Sequence, residues 1–173
     1  RMSVKDLAIL ATHIIQDFPE FYPLFAEEEY EFDGRVPANS QNRNPLLGLG
    51  IGADGLKTGH TEESGYGLVG SAKQDDRRVV FVLTGLDSPP RRPEEARAIV
   101  NWSFRQFAQK TIAKAGEEIA RADVWMGRDQ SVGLVPAEDL TVLLPVLSDS
   151  GIEAEVVYVG PVRSPVAEGQ QIA

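Results

Sequence analysis

Between Gly55 and Thr84 three short segments rich in apolar and β-branched residues follow one another closely, and this spacing limits the fold more than any other feature. Gly55–His60, Tyr66–Lys73 and Arg78–Thr84 read as strands, and the polar stretch Gln74–Arg77 joins the last two as a turn. The region predicts an antiparallel sheet with a central hairpin.

Helical patterns flank this sheet. Ser3 and Asp6 form a capping box, in which the hydroxyl accepts a first-turn N–H and the carboxylate reaches back. Val4, Leu7, Ala8, Leu10, Ala11, Ile14 and Ile15 then recur at helical spacing until Phe18-Pro19, because proline disfavours helix in the residue before it. A helix over roughly Val4–Asp17 follows. Pro93-Glu94-Glu95 opens a second helix, since the first turn tolerates proline and its positive end favours carboxylates. Ala96, Ile99, Val100, Phe104 and Phe107 mark its buried face, with Trp102 also assigned to the core. Residues 18–50 read as an irregular packed connector with a short strand at Glu29–Phe32, and Glu27-Glu28-Glu29 reads as a solvated face.

Beyond Lys110 the texture changes. Val124–Met126, Leu140–Leu144 and Glu153–Val159 read as strands with no helix between them, and a turn is expected around Gly169. The fold class predicted is α+β. Residues 1–110 form an antiparallel sheet with flanking helices, and 111–173 begin a small all-β domain that reads as cut short.

The 173 residues are 42% apolar, enough for a real core, and carry a formal net charge of -9. That balance excludes a phosphate-backbone binder, which needs a basic face, so no nucleic acid partner is expected. There is no cysteine, hence neither a disulfide framework nor a thiolate metal site. The two histidines lack matched carboxylate spacing, so neither metal nor cofactor is expected, and His13 on the first helix is structural. No apolar run reaches the roughly 18 to 20 residues that span a bilayer, and the start lacks a signal-peptide pattern. Any membrane association is expected through segments outside this stretch.

Chemistry concentrates in Asp54-Gly55-Leu56-Lys57-Thr58-Gly59-His60-Thr61 and the following Gly65-Tyr66-Gly67-Leu68-Val69-Gly70-Ser71-Ala72. On a strand, Lys57 places a positive charge where negative charge develops and can help move a proton. Thr58 offers a hydroxyl to a carboxylate. Gly59 has no side chain, so a peptide can lie against the strand as an added one, and the His60 N–H is a candidate oxyanion donor. A solvated lysine and a surface histidine are the plain alternatives for Lys57 and His60.

Lys57-Thr58-Gly59 on a strand, with flanking glycines, resembles the third motif of the serine acyl-transferases that include penicillin-binding proteins and β-lactamases. The longer string resembles the low-molecular-mass D-alanyl-D-alanine carboxypeptidases. Supporting residues are Ser3–Ala8, Phe32, Asn42–Leu47, Gly85, Arg92 and the Trp102–Phe104 helix, so residues 1 to about 110 match well and the remainder loosely. The resemblance implies a serine peptidase that trims the terminal D-alanine from peptidoglycan pentapeptide through an acyl-enzyme. It also implies acylation by β-lactams and a location in the periplasm or at the outer face of the inner membrane.

In such enzymes two arginines hold the terminal carboxylate or support the strand beside it, and Arg43 and Arg92 match by position, with Arg91 as an alternative. Either could instead pair structurally with an acidic residue. The pattern is incomplete, because no serine has lysine three positions later: Ser3, Ser71 and Ser103 are followed there by Asp6, Gln74 and Gln106. Ser40-Gln41-Asn42 imitates the second motif, Ser-x-Asn, but stands only 17 residues before Lys57 and is taken as a decoy. The nucleophile is therefore expected in a missing N-terminal part of the same catalytic domain, and this chain alone is expected to be inactive. The alternatives are a β-lactamase or endopeptidase of the same superfamily, or a non-catalytic cell-wall binding or scaffold module.

Overall fold

The computed structural model describes residues 2–32, 34–147 and 153–172. The chain divides into two compact units, Arg1–Arg105 and Gln106–Ala173. This division falls ahead of the expected 110/111 boundary, because the first strand of the second unit already begins at Phe107.

In the first unit helix α1 spans Val4–Asp17, as its periodicity predicts. The capping box is formed: the Ser3 hydroxyl accepts from the Asp6 N–H at 3.2 Å, and the Asp6 carboxylate accepts from the Ser3 N–H at 2.8 Å. Strands β1 (Ala53–Thr61), β2 (Gly65–Gln74) and β3 (Arg77–Leu86) form one antiparallel sheet in the order β1-β2-β3. The hairpin between β2 and β3 turns at Asp75-Asp76, where Asp75 takes φ 52°, a conformation that Asp tolerates better than most residues. Helix α2, Arg91–Gln106, starts two residues before Pro93. Proline is accepted there because first-turn N–H groups have no partner inside the helix.

Alternation along β2 and β3 splits the apolar residues between two cores. Leu68, Ala72 and Phe81 pack with Leu46 and with Ala96 and Val100 of α2. Val69 and Val80 pack on the other side with Ala11 of α1, Tyr22 and Leu56. Arg77 fastens β3 to α2, donating to the Ser103 carbonyl at 3.0 Å with its guanidinium 4.7 Å from the Phe104 ring centroid. Trp102, expected in the core, is 56% exposed, since Ala96 and Val100 define the buried stripe and Trp102 falls off it.

The second unit holds β4 (Phe107–Ala113), β5 (Ala120–Trp125), β6 (Ser131–Leu134), β7 (Leu140–Pro145) and β8 (Val162–Arg163). β4 pairs with β7, while β6-β5-β8 form a second sheet in which β5 and β8 run parallel. Ala122, Leu134 and Val162 are its buried centre. Residues 153–159, expected as a strand, form none: Val156 and Tyr158 pack on that centre by their side chains without a backbone ladder. The expected strand at Glu29–Phe32 reduces to a single bridge, Glu29 to Gln41.

Candidate active site

The Lys57–His60 segment lies on β1, an edge strand whose one neighbour among the described residues is β2. The register sets Lys57 opposite Val69, Thr58 opposite Leu68, Gly59 opposite Gly67 and His60 opposite Tyr66. Residues directly opposite share a face, so Lys57 shares that of Val69 and His60 that of Tyr66. Lys57 is exposed, and its ammonium bonds the Thr58 carbonyl at 2.8 Å. Between α1 and this strand lies a cavity of about 760 Å³, bounded by Leu7, Leu10 and Ile14 on one side and Lys57, Thr58 and His60 on the other.

Gly59 differs from its neighbours in what surrounds it. A methyl group built there meets no atom within 4 Å, whereas one at Gly67 comes 2.9 Å from the Leu83 carbonyl oxygen. The sheet face at Gly59 is therefore clear, and β1 has no strand on its outer side among the described residues.

Arg92 reaches this strand from α2. Its Nη2 donates to the Gly59 carbonyl at 3.2 Å and its guanidinium stands 5.3 Å from the Tyr66 ring centroid. The His60 ring stacks on the same tyrosine, centroids 4.0 Å apart. Among the described residues the buried Nε of Arg92 finds no hydrogen-bond partner. Arg91, the alternative, is engaged by Glu94 and Glu95 of its own helix. Arg43 stays on the connector, donating to Asn39 Oδ1 at 3.2 Å, and does not line the cavity. The structure thus brings Arg92 to the segment and leaves Arg43 without a bond to it.

The Ser40-Gln41-Asn42 triplet is spent on the loop. Asn42 Nδ2 donates to the Phe25 and Glu27 carbonyls, and its Oδ1 accepts from the Asn44 N–H. Sequence reasoning did not single out Asn44 by itself, which is 5% exposed and ties the connector to β1 by donating to the Gly55 carbonyl at 2.9 Å. It also gave no role to Tyr22, Asp54, Ser71 and Arg78. Arg78 grips the Asp54 carboxylate with both ends of its fork, Nη1 to Oδ1 at 2.8 Å and Nη2 to Oδ2 at 2.7 Å. The same Nη1 donates to Ser71 Oγ at 2.6 Å, and the Tyr22 hydroxyl donates to Asp54 Oδ1 at 2.7 Å. Burial pushes the Tyr22 hydroxyl up to about 12, with Asp54 adding to the effect, and the bond to Asp54 raises Arg78 further. Buried Ser71 inside an apolar strand was the one available signal.

Among the described residues no helix is long and apolar enough to cross a membrane.

Known proteins agree with this architecture. Residues 1–88 match the family described as D-alanyl-D-alanine carboxypeptidase, and residues 107–173 match the C-terminal domain of penicillin-binding protein 5. The D-alanyl-D-alanine carboxypeptidase DacD of Escherichia coli is 33% identical over 172 residues, which is 98% of this chain and 44% of the relative. The DacA enzyme of Haemophilus influenzae is 34% identical, over 98% of this chain and 43% of its own length. The chain therefore spans less than half the length of these curated relatives.

Among solved structures, penicillin-binding protein 5 from Haemophilus influenzae superimposes with a TM-score of 0.78 at 33% identity, covering 97% of this chain and 49% of that one. Penicillin-binding protein D2 from Listeria monocytogenes, solved in an ampicillin-bound form, gives a TM-score of 0.52 at 29% identity over 58% of this chain and 40% of that one. With an edge strand carrying the lysine motif in place and over half of its residues matching one family, the chain belongs to the D-alanyl-D-alanine carboxypeptidase family of penicillin-binding proteins.

Proposed function

We propose that this chain supplies the substrate-side wall of a serine D-alanyl-D-alanine carboxypeptidase that trims peptidoglycan pentapeptide on the outer side of the bacterial inner membrane. The observation that carries this reading is the outer edge of β1, which no strand covers among the described residues and where Lys57 is exposed and the sheet face at Gly59 is clear. A peptide ending in D-Ala-D-Ala adds to that edge as a further strand. A serine hydroxyl from an N-terminal part of the same domain, packed over the cavity, attacks the penultimate carbonyl. The C–N bond breaks, D-alanine leaves with the proton, and water later hydrolyses the ester.

Each residue has a part in that step. The Lys57 ammonium offsets charge on the reacting oxygens and assists proton movement. The His60 N–H stabilises the oxyanion, and the Thr58 hydroxyl holds the terminal carboxylate. Arg92 acts mainly through the strand it braces, by its bond to the Gly59 carbonyl, and adds positive charge beside the carboxylate. Arg43, paired with Asn39, is assigned at most a supporting part at the connector. β-Lactams, which imitate the dipeptide, acylate the same serine.

The test is a chimera in which residues 1–173 replace the matching segment of the Haemophilus influenzae relative, whose own front half provides the nucleophile. Lys57→Ala should lower D-alanine release and β-lactam acylation by about 100-fold or more with an unchanged circular dichroism spectrum. Normal turnover would refute its role. Arg92→Ala should weaken substrates with a free terminal carboxylate more than amidated ones, and equal loss on both would remove it from carboxylate recognition.

A further inference from the structure

We infer that Tyr22, Asp54, Ser71 and Arg78 act as a clamp that positions the Lys57–His60 segment, a role that rests on the catalytic reading of Lys57. Among the described residues the backbone ladder of edge strand β1 runs to β2 alone, and it slips between Ala53 and Gly55. Asp54 is the residue left unpaired by the slip, three positions before Lys57, about 10 Å along an extended chain. Backbone pairing is weakest just where the reactive segment begins.

The polar cluster spans this gap. The ion pair between Asp54 of β1 and Arg78 of β3 passes across β2, where fully buried Ser71 accepts from the same guanidinium. From the other side, the Tyr22 hydroxyl bonds Asp54 and lies at 3.2 Å from Arg78 Nη1, with the guanidinium 5.0 Å from its ring centroid. Tyr22 also closes on the backbone of the slip, since a methyl at Gly55 would meet its hydroxyl at 2.7 Å. Asn44 holds the Gly55 carbonyl. One point therefore gathers all three strands and the connector.

Apolar side chains would hold a sheet together as firmly as a partly buried ion pair, which gives up hydration to form. What the fork adds is direction: two parallel bonds fix the rotation and height of Asp54 against β3, where a greasy contact would allow sliding. The register of the following residues, and so the placement of the Lys57 ammonium and the bare Gly59 edge, is set from that anchor.

Hydrogen exchange on the 173-residue chain reads this directly, because strand loosening and global unfolding expose different sets of amides. Arg78→Met should speed exchange of the paired amides in residues 55–61 tenfold or more while those of residues 77–83 keep their protection. Tyr22→Phe, which keeps the ring and the ion pair, should do the same to a smaller degree and serves if Arg78→Met does not fold. Uniform acceleration across all three strands, or no change in β1, overturns the clamp. In the chimera, Arg78→Met should slow β-lactam acylation at least tenfold at saturating inhibitor, and Arg78→Lys, which has no fork, should not restore it. If selective loosening occurs but Lys57→Ala leaves acylation intact, the clamp stands and the catalytic reading falls.

Discussion

Substituting two glycines on neighbouring strands separates a glycine kept for the fold from one kept for a ligand. At Gly70 a methyl would lie 2.6 Å from Phe81 Cε1 and 2.8 Å from Cε2, in a core shared with Leu68 and Val100. The ring must move within close packing, which costs about 1–3 kcal/mol. At Gly59 the same methyl meets nothing within 4 Å, in an extended strand that alanine adopts without strain. There the added Cβ restricts the unfolded chain and gains roughly 0.5–1 kcal/mol.

With a urea slope of about 2 kcal/mol per molar, Gly70→Ala should lower the unfolding midpoint by roughly 0.5–1.5 M and Gly59→Ala raise it by roughly 0.2–0.5 M. Fluorescence of Trp102, in a Trp125→Phe background, reports on the first unit alone because Trp125 belongs to the second. In the chimera, Gly59→Ala should nonetheless impair acylation, since the methyl occupies space that a substrate strand needs. The reasoning fails if Gly59→Ala destabilises the chain as much as Gly70→Ala, which would give that glycine a folding role.

Two further outcomes follow from burial. The Tyr22 hydroxyl keeps its proton in the folded chain up to about 12, whereas an unfolded chain releases it near 10.0. Its contribution is complete below pH 10 and is lost as pH rises toward 12, so urea midpoints should fall over that window and Tyr22→Phe should flatten the decline. A slope unchanged in Tyr22→Phe would assign the effect elsewhere. Leu46, 1% exposed among Leu68, Phe81 and Val100, should cost about 2–5 kcal/mol on truncation to alanine, read as a lower thermal midpoint of the first unit; a loss below 1 kcal/mol would contradict its central place.

Much of the first unit was legible because local and tertiary demands coincide. α1 carries both a cap and a continuous apolar stripe, and β2 and β3 alternate between two different cores. β4 was hidden, since its middle residues, Ala108 to Ile112, are all exposed and impose no alternation. Residues 153–159 mislead in the opposite sense, with apolar side chains that serve packing and not pairing. For the site, Lys57, Thr58, Gly59 and His60 announce themselves by residue type within one short run. The clamp does not, because its members join across 32, 24 and 7 positions and each is an ordinary residue until the sheet assembles. Arg92, which the sequence favoured with Arg91 as the alternative, bonds the Gly59 carbonyl, while Arg91 pairs with Glu95 of its own helix.

The two-residue strand β8 also governs when the second unit can finish forming. Its parallel partner β5 ends at Trp125, while β8 does not begin until Val162, and Val162 fills the centre alongside Ala122 and Leu134. As the chain leaves the ribosome, the antiparallel pairs β5–β6 and β4–β7 can zip early from nearby segments, but β5 waits with one side bare until Val162 and Arg163 emerge. Such distant closure is slow, and a nascent or clipped chain lacking residues 162–172 exposes both a strand side and an unfilled centre to other polypeptides.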